Sequence, residues 1–274
     1  MGEHFLSQIR VIAVDIDGTL TNREKQITPR TLQALLQAQK QGITLVLASG
    51  RPISGLKKYS VQLHLPEYGG NLISFNGGLL ADAKTNEVLY EQKMPLPIAI
   101  EVLRHLQQFP VTVMLCDGDQ LVVEDINGYQ VEYEANCNHL RVTQTDSLEE
   151  YLYFSPYKLL ASANPPYLSE IHEQLAAPFT NRLSTFFSAP FFFEFVPLGV
   201  NKANALQRLC QMRGIRREEV LCFGDEQNDL EMIRFAGHGV AMGNACDLLK
   251  QAADEITLSN DEDGIAVVVE RYLA

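Results

Sequence analysis

The chain has no Lys/Arg block, no CxxC pair, no Pro/Gly-rich linker and no apolar run approaching the roughly 18 residues of a membrane helix. Each absence removes a class of protein. With a formal net charge of −12 over 274 residues, the surface repels polymeric nucleic acid and anionic lipid, so neither is an expected partner. Five cysteines (Cys116, Cys137, Cys210, Cys222, Cys246) are odd in number and scattered. They define neither a disulfide framework nor a zinc ribbon and read as reduced, mostly buried thiols. GxSxG, GxGxxG and the P-loop pattern are all missing, which leaves serine-hydrolase, dinucleotide and P-loop readings without support. Met1 to Arg10 carries charge and no long apolar stretch, so no signal peptide is expected; Leu6 stands where a myristoylation motif needs Ser or Thr. The expected location is the cytoplasm. No repeat or low-complexity tract is present.

An apolar fraction of 46% and a charged fraction of 20% describe an ordinary globular protein. Ile9 to Ile16 (IRVIAVDI) is a β-branched run with almost no polar alternation, as in a strand buried on both faces of a parallel sheet. Thr28-Pro29 supplies an N-cap and an N1 proline for a helix that Gly42 ends. Further apolar strands follow at Ile43 to Ser49 and Asn71 to Phe75. The alternation returns late, with a helix from Lys202 to Met212, strands at Val220 to Phe223 and Gly239 to Met242, a helix from Asp229 to Phe235, and a last helix ending VVVERYL. This order predicts an α/β fold with a doubly wound, Rossmann-like parallel sheet. Between the two halves the texture changes to a helix (Leu96 to Gln108), strands (Val111 to Leu115, Gln120 to Val123) and expected hairpin turns at Asp117-Gly118 and Asn127-Gly128. The expected organisation is a core of 1–87 and 194–274 with an inserted α+β cap domain at 88–193.

Asp15-Ile16-Asp17-Gly18-Thr19-Leu20 directly follows the first buried strand. Ligands bind at the carboxyl ends of strands in open α/β sheets, so two carboxylates stand at the expected site mouth. Taken alone, an acidic turn merely ends a strand. Other signals are weaker. SNDEDG, with Glu270 twelfth from Ser259, partly imitates a calcium loop, but Ser259 replaces its first acidic ligand. His172-Glu173 opens like a zinc-protease motif without the second histidine and reads as a surface helix; His4, His64, His105, His139 and His238 are scattered. The phenylalanines Phe186, Phe187, Phe191, Phe192, Phe193 and Phe195 read as sheet core.

DIDGTL resembles the first motif of the haloacid dehalogenase superfamily. Ser49-Gly50-Arg51 resembles its second motif, Lys202 in GVNKANAL its third, and GDEQND (Gly224 to Asp229) its fourth. With SFNGG, GVAMGNA and SNDEDGIA, the ordered set resembles the Cof-like branch of phosphatases with an inserted α/β cap. Matches spread over most of the core; the cap contributes only its position. The resemblance implies phosphoryl transfer through an aspartyl-phosphate. It implies substrates such as sugar phosphates, nucleotides, flavin mononucleotide or pyridoxal phosphate, and a mobile cap that excludes water and selects the leaving group.

The chemistry follows from the residue types. A carboxylate nucleophile and a phosphate dianion repel, so attack by Asp15 calls for a cation, and Mg²⁺ suits hard oxygen ligands. The expected ligands are the Asp15 and Asp225 carboxylates and the Asp17 main-chain carbonyl, with Asp229 orienting the metal's waters. Asp15 is read as nucleophile and Asp17 as acid and then base, with Thr19 hydrogen-bonding Asp17. The Ile16 and Gly50 amides, the Ser49 hydroxyl, Lys202 and the Asn228 amide are read as phosphate binders. Arg51 is read either as a substrate contact or as a brace of its loop. The expected function is a Mg²⁺-dependent phosphomonoester hydrolase of small metabolites, monomer or homodimer. The alternatives are a sugar phosphomutase or phosphotransferase and a non-catalytic phosphometabolite-binding regulator.

Overall fold

The computed structural model describes residues 9–273; the expectations placed on His4, Leu6 and the chain start before Ile9 lie outside them. Its strands are β1 (Val11–Val14), β2 (Thr44–Ala48), β3 (Asn71–Ser74), β4 (Leu79–Asp82) and β5 (Val88–Glu91), followed by β6 (Thr112–Asp117), β7 (Gln120–Val123) and β8 (Arg141–Gln144). The later ones are β9 (Leu159–Ser162), β10 (Leu183–Ala189), β11 (Phe192–Pro197), β12 (Val220–Gly224), β13 (His238–Ala241) and β14 (Glu255–Ile256). The chain divides into two compact units. One holds the residues up to Ser49, Leu56–Glu91 and those from Asn201 on; the other holds Gly50–Gly55 and Gln92–Val200. The insert is read from the sequence as 88–193; here β5 pairs with β4 in the first unit's sheet, and β11 runs on to Pro197.

The first unit is built on an eight-stranded sheet in the order β14-β13-β12-β1-β2-β3-β4-β5. Pairing is parallel from β14 to β3 and antiparallel from β3 to β5. This is the doubly wound core that alternating strand and helix patterns imply. β1 lies centrally, and Val11, Ile12, Ala13 and Val14 are all fully buried, each larger side chain contributing about 1.5–3 kcal/mol of burial. The helix Pro29–Lys40 starts as the sequence indicates, with Thr28 at the N-cap and Pro29 first. The helix Lys202–Arg213 is capped by Asn201, whose Oδ1 accepts the Asn204 N–H at 2.8 Å, and ends at left-handed Gly214.

The second unit is built on a six-stranded sheet, β10-β11-β9-β6-β7-β8. Asp117-Gly118 closes the β6–β7 hairpin, with Gly118 at φ 59°. Asn127-Gly128 makes no hairpin: β7 pairs parallel with β8, so the chain must cross over, and the turn instead feeds the helix Val131–Asn138. Phe192, Phe193 and Phe195 are buried core, whereas Phe187 is partly exposed beside His172. Among the described residues, no helix is long and apolar enough to cross a membrane.

Candidate active site

Three strands of the first unit deliver the predicted carboxylates and their partners to the carboxyl edge of the sheet. β1 runs into Asp15, β12 into Asp225 and β2 into Ser49, and register pairs Val14 with both Phe223 and Leu47. The Asp15 N–H donates to the Phe223 carbonyl at 3.1 Å, and the Ser49 N–H to Ile73 at 2.9 Å, so the sheet ladder itself holds both residues. Lys202, first in its helix, reaches the same place from the side.

Asp15, Asp225 and Asp229 are buried, and each offers a carboxylate oxygen within 4.8 Å of the others. Lys202 lies among them with its side chain fully buried. Its Nζ donates to Asp15 Oδ1 at 2.6 Å and to Asp229 Oδ1 at 2.6 Å. The other Asp229 oxygen accepts the main-chain N–H groups of Asp225 (3.1 Å) and Glu226 (3.2 Å). Asp229 is therefore engaged on both oxygens and acts as a fixed strut. Thr19, expected to serve Asp17, donates instead to Asp225 Oδ1 at 2.6 Å; a hydroxyl has one proton, and this carboxylate receives it. The Asp17 side chain is 37% exposed and accepts from Lys25 Nζ at 2.8 Å.

Burial raises the Asp15 pKa well above the usual carboxylate range; Lys202 opposes this, while Asp229, Asp225 and Asp17 add to it. Burial likewise pushes Asp225 up to about 7, against the Thr19 hydrogen bond and with the help of Asp229. Burial works against the Lys202 charge, but Asp15 and Asp229 outweigh it and raise its pKa. Lys202 favours its ammonium form and donates to two of the three carboxyl groups, while the raised pKa values of Asp15 and Asp225 express the cost of burying and crowding carboxylates beside it. A divalent cation would relieve that cost, and oxygen-only donors suit a hard ion such as Mg²⁺. Any of the three carboxylates could take part in holding such an ion; Asp229, with both oxygens already accepting hydrogen bonds, is the most committed of them.

Gly18 has φ +83°, and a Cβ there would lie 2.2 Å from Asp225 Oδ2, so the glycine lets the Asp15 loop pass against the second carboxylate. Two asparagines that the sequence reading missed pin the same loop. Asn244 Nδ2 donates to the Gly18 carbonyl at 2.8 Å and Asn260 Nδ2 to that of Thr21 at 2.7 Å, while the Asn260 N–H donates to Asn244 Oδ1 at 3.0 Å. The motifs that contain them, GVAMGNA and SNDEDG, were the available signal. SNDEDG has a structural use: Asp263 accepts from Thr28 and Thr31, and Glu270 pairs with Arg30 at 2.7 Å. Asn228, expected at the phosphate, donates to Asn76 Oδ1 at 3.0 Å. Gly50 and Arg51 fall in the second unit, where the Arg51 guanidinium donates to the Cys137 carbonyl. The Ile16 N–H lies in the loop between the two carboxylates and makes no hydrogen bond among the described residues.

A haloacid dehalogenase-like hydrolase model matches residues 12–269, and the chain belongs to that family. It is a phosphatase of the Cof-like branch, as relatives along its whole length indicate. It is 31% identical over 277 residues to the 5-amino-6-(5-phospho-D-ribitylamino)uracil phosphatase YitU of Bacillus subtilis, covering 96% of this chain and 97% of that one. It is 30% identical over 277 residues to the HMP-PP phosphatase of Yersinia pseudotuberculosis, covering 97% and 96%. The crystal structure of a haloacid dehalogenase-like hydrolase from Bacteroides thetaiotaomicron superimposes with a TM-score of 0.91 at 38% identity, over 96% of this chain and 99% of that one.

Proposed function

We propose that the protein is a Mg²⁺-dependent phosphomonoester hydrolase of small phosphorylated metabolites that works through an aspartyl-phosphate on Asp15. The observation that carries this reading is the buried trio Asp15, Asp225 and Asp229 gathered around Lys202 at the carboxyl edge of the sheet. A binding protein has no use for a nucleophile so placed. Asp15, Asp225 and the Asp17 carbonyl would hold Mg²⁺, which when bound would offset the repulsion between carboxylate and phosphate. Asp15 attacks phosphorus, forming an O–P bond as the ester P–O bond breaks, and Asp17 gives its proton to the leaving oxygen. Asp17 then takes a proton from water, which attacks the same phosphorus and frees Asp15. Lys202, the Ser49 hydroxyl, the Ile16 amide and the Asn228 amide bind the phosphoryl oxygens. Thr19 holds Asp225 in place, and Asp229 fixes Lys202 and the turn at Asp225.

The test is phosphate release from sugar phosphates, nucleotides, flavin mononucleotide, pyridoxal phosphate and the two substrates named for the relatives, with Mg²⁺ and with chelator. Release that requires Mg²⁺ and disappears in Asp15→Asn is expected; Asp17→Asn is expected to accumulate phosphoenzyme without turnover. Transfer between sugars with little free phosphate would indicate a phosphotransferase instead. Tight binding without turnover would indicate a regulator.

A further inference from the structure

The SFNGG segment links β3 to β4 and has no role in the chemistry above. Its backbone is unusual: Phe75, Asn76 and Gly77 follow one another at φ 51°, 55° and 99°. A left-handed Phe is rare, and three positive-φ residues in succession make this an uncommon connection. This turn touches three of the residues read as phosphate binders. The Asn76 main-chain N–H donates to the Ser49 carbonyl at 3.0 Å. The Asn76 Oδ1 accepts from Asn228 Nδ2 at 3.0 Å. At Gly77 a Cβ would lie 2.1 Å from the Asn201 carbonyl oxygen and 3.1 Å from the Lys202 nitrogen, so the turn lies directly against the start of the Lys202 helix.

Asn76 is 5% exposed, whereas Asn228 is exposed. An exposed carboxamide rotates freely unless a fixed partner holds it, and Asn76 Oδ1 is such a partner. An amide nitrogen carries two protons; with one committed to Asn76, the other has a set direction. We propose that Asn76 is a positioning residue for phosphoryl transfer: it orients the Asn228 amide toward the transferred group and ties that donor to Ser49 and to the Lys202 helix. The inference rests on the phosphatase reading above, with Asn228 at the phosphate.

Asn76→Gly isolates the effect, because glycine adopts the left-handed backbone and keeps the N–H that Ser49 accepts, while the carboxamide is lost. The measurement is kcat/KM and inhibition by inorganic phosphate in the wild type, Asn76→Gly, Asn228→Ala and the double variant, with Asp15→Asn in the same assay. Each single variant is expected to lose about tenfold in kcat/KM and to bind phosphate more weakly, and the double variant to be no worse than Asn228→Ala alone. Multiplication of the two losses to about 100-fold would overturn the inference, as would an Asn76→Gly enzyme equal to wild type. Turnover that survives in Asp15→Asn would overturn the phosphatase reading and the inference with it.

Discussion

Lys202 shows how much of this site rests on one side chain. Its ammonium is fully buried between Asp15 and Asp229, so removing the charge leaves neighbouring carboxylates uncompensated. Lys202→Met is expected to cost about 3–5 kcal/mol of stability in metal-free urea unfolding and at least roughly 100-fold in kcat/KM. An intact Tm together with intact turnover would refute both. Thr19→Val tests a subtler dependence. Loss of its hydrogen bond to Asp225 is expected to raise the Mg²⁺ concentration needed for half-maximal activity by roughly tenfold, in line with the effect of losing an outer hydrogen bond to a metal ligand. At this scale the sequence was informative where chemistry forces a residue type into a strand end, as at Asp15, Ser49 and Asp225. It was silent on partners. Nothing local shows that Thr19 meets Asp225, or that Asn244 and Asn260 hold the Asp15 loop, because those pairs form only when distant loops converge.

Strands and helices were legible for a simple reason: β1, β12 and, after Thr44, β2 are buried on both faces and must be apolar, and the helix at Pro29 carries its own start signal. Turns were less so. Asp117-Gly118 and Asn127-Gly128 look alike in sequence, yet one closes a hairpin and the other enters a helix, since strand pairing decides between them. The SFNGG turn is the clearest case of a short connection under tight constraint. Gly77→Ala is expected to destabilise by about 2–4 kcal/mol in urea unfolding, as both the backbone and the Asn201 carbonyl oppose a methyl group there. An alanine variant as stable as wild type would mean that the turn can move away from the Lys202 helix.

For the whole molecule, the raised Asp225 pKa implies a particular dependence of stability on pH. Between about pH 4, where an unfolded aspartate loses its proton, and about 7, where the folded one does, the native state binds the extra proton. The Asp225 contribution to stability is therefore present in acid and lost as pH rises through that window. In chelator, the stability of wild type minus that of Asp225→Asn is expected to fall from pH 4 to pH 7; a flat difference would place the burden on other groups. The sheet order has a consequence for biosynthesis as well. β1 takes β2 on one side, but on the other side Val11 pairs with Val220. At 5–20 residues per second a ribosome needs roughly 10–40 s to deliver that partner. Through that interval the strand leading to Asp15 waits with one edge of main-chain N–H and C=O groups unpaired while the entire second unit is being made, so the nascent chain, more than the finished enzyme, is the form open to mispairing.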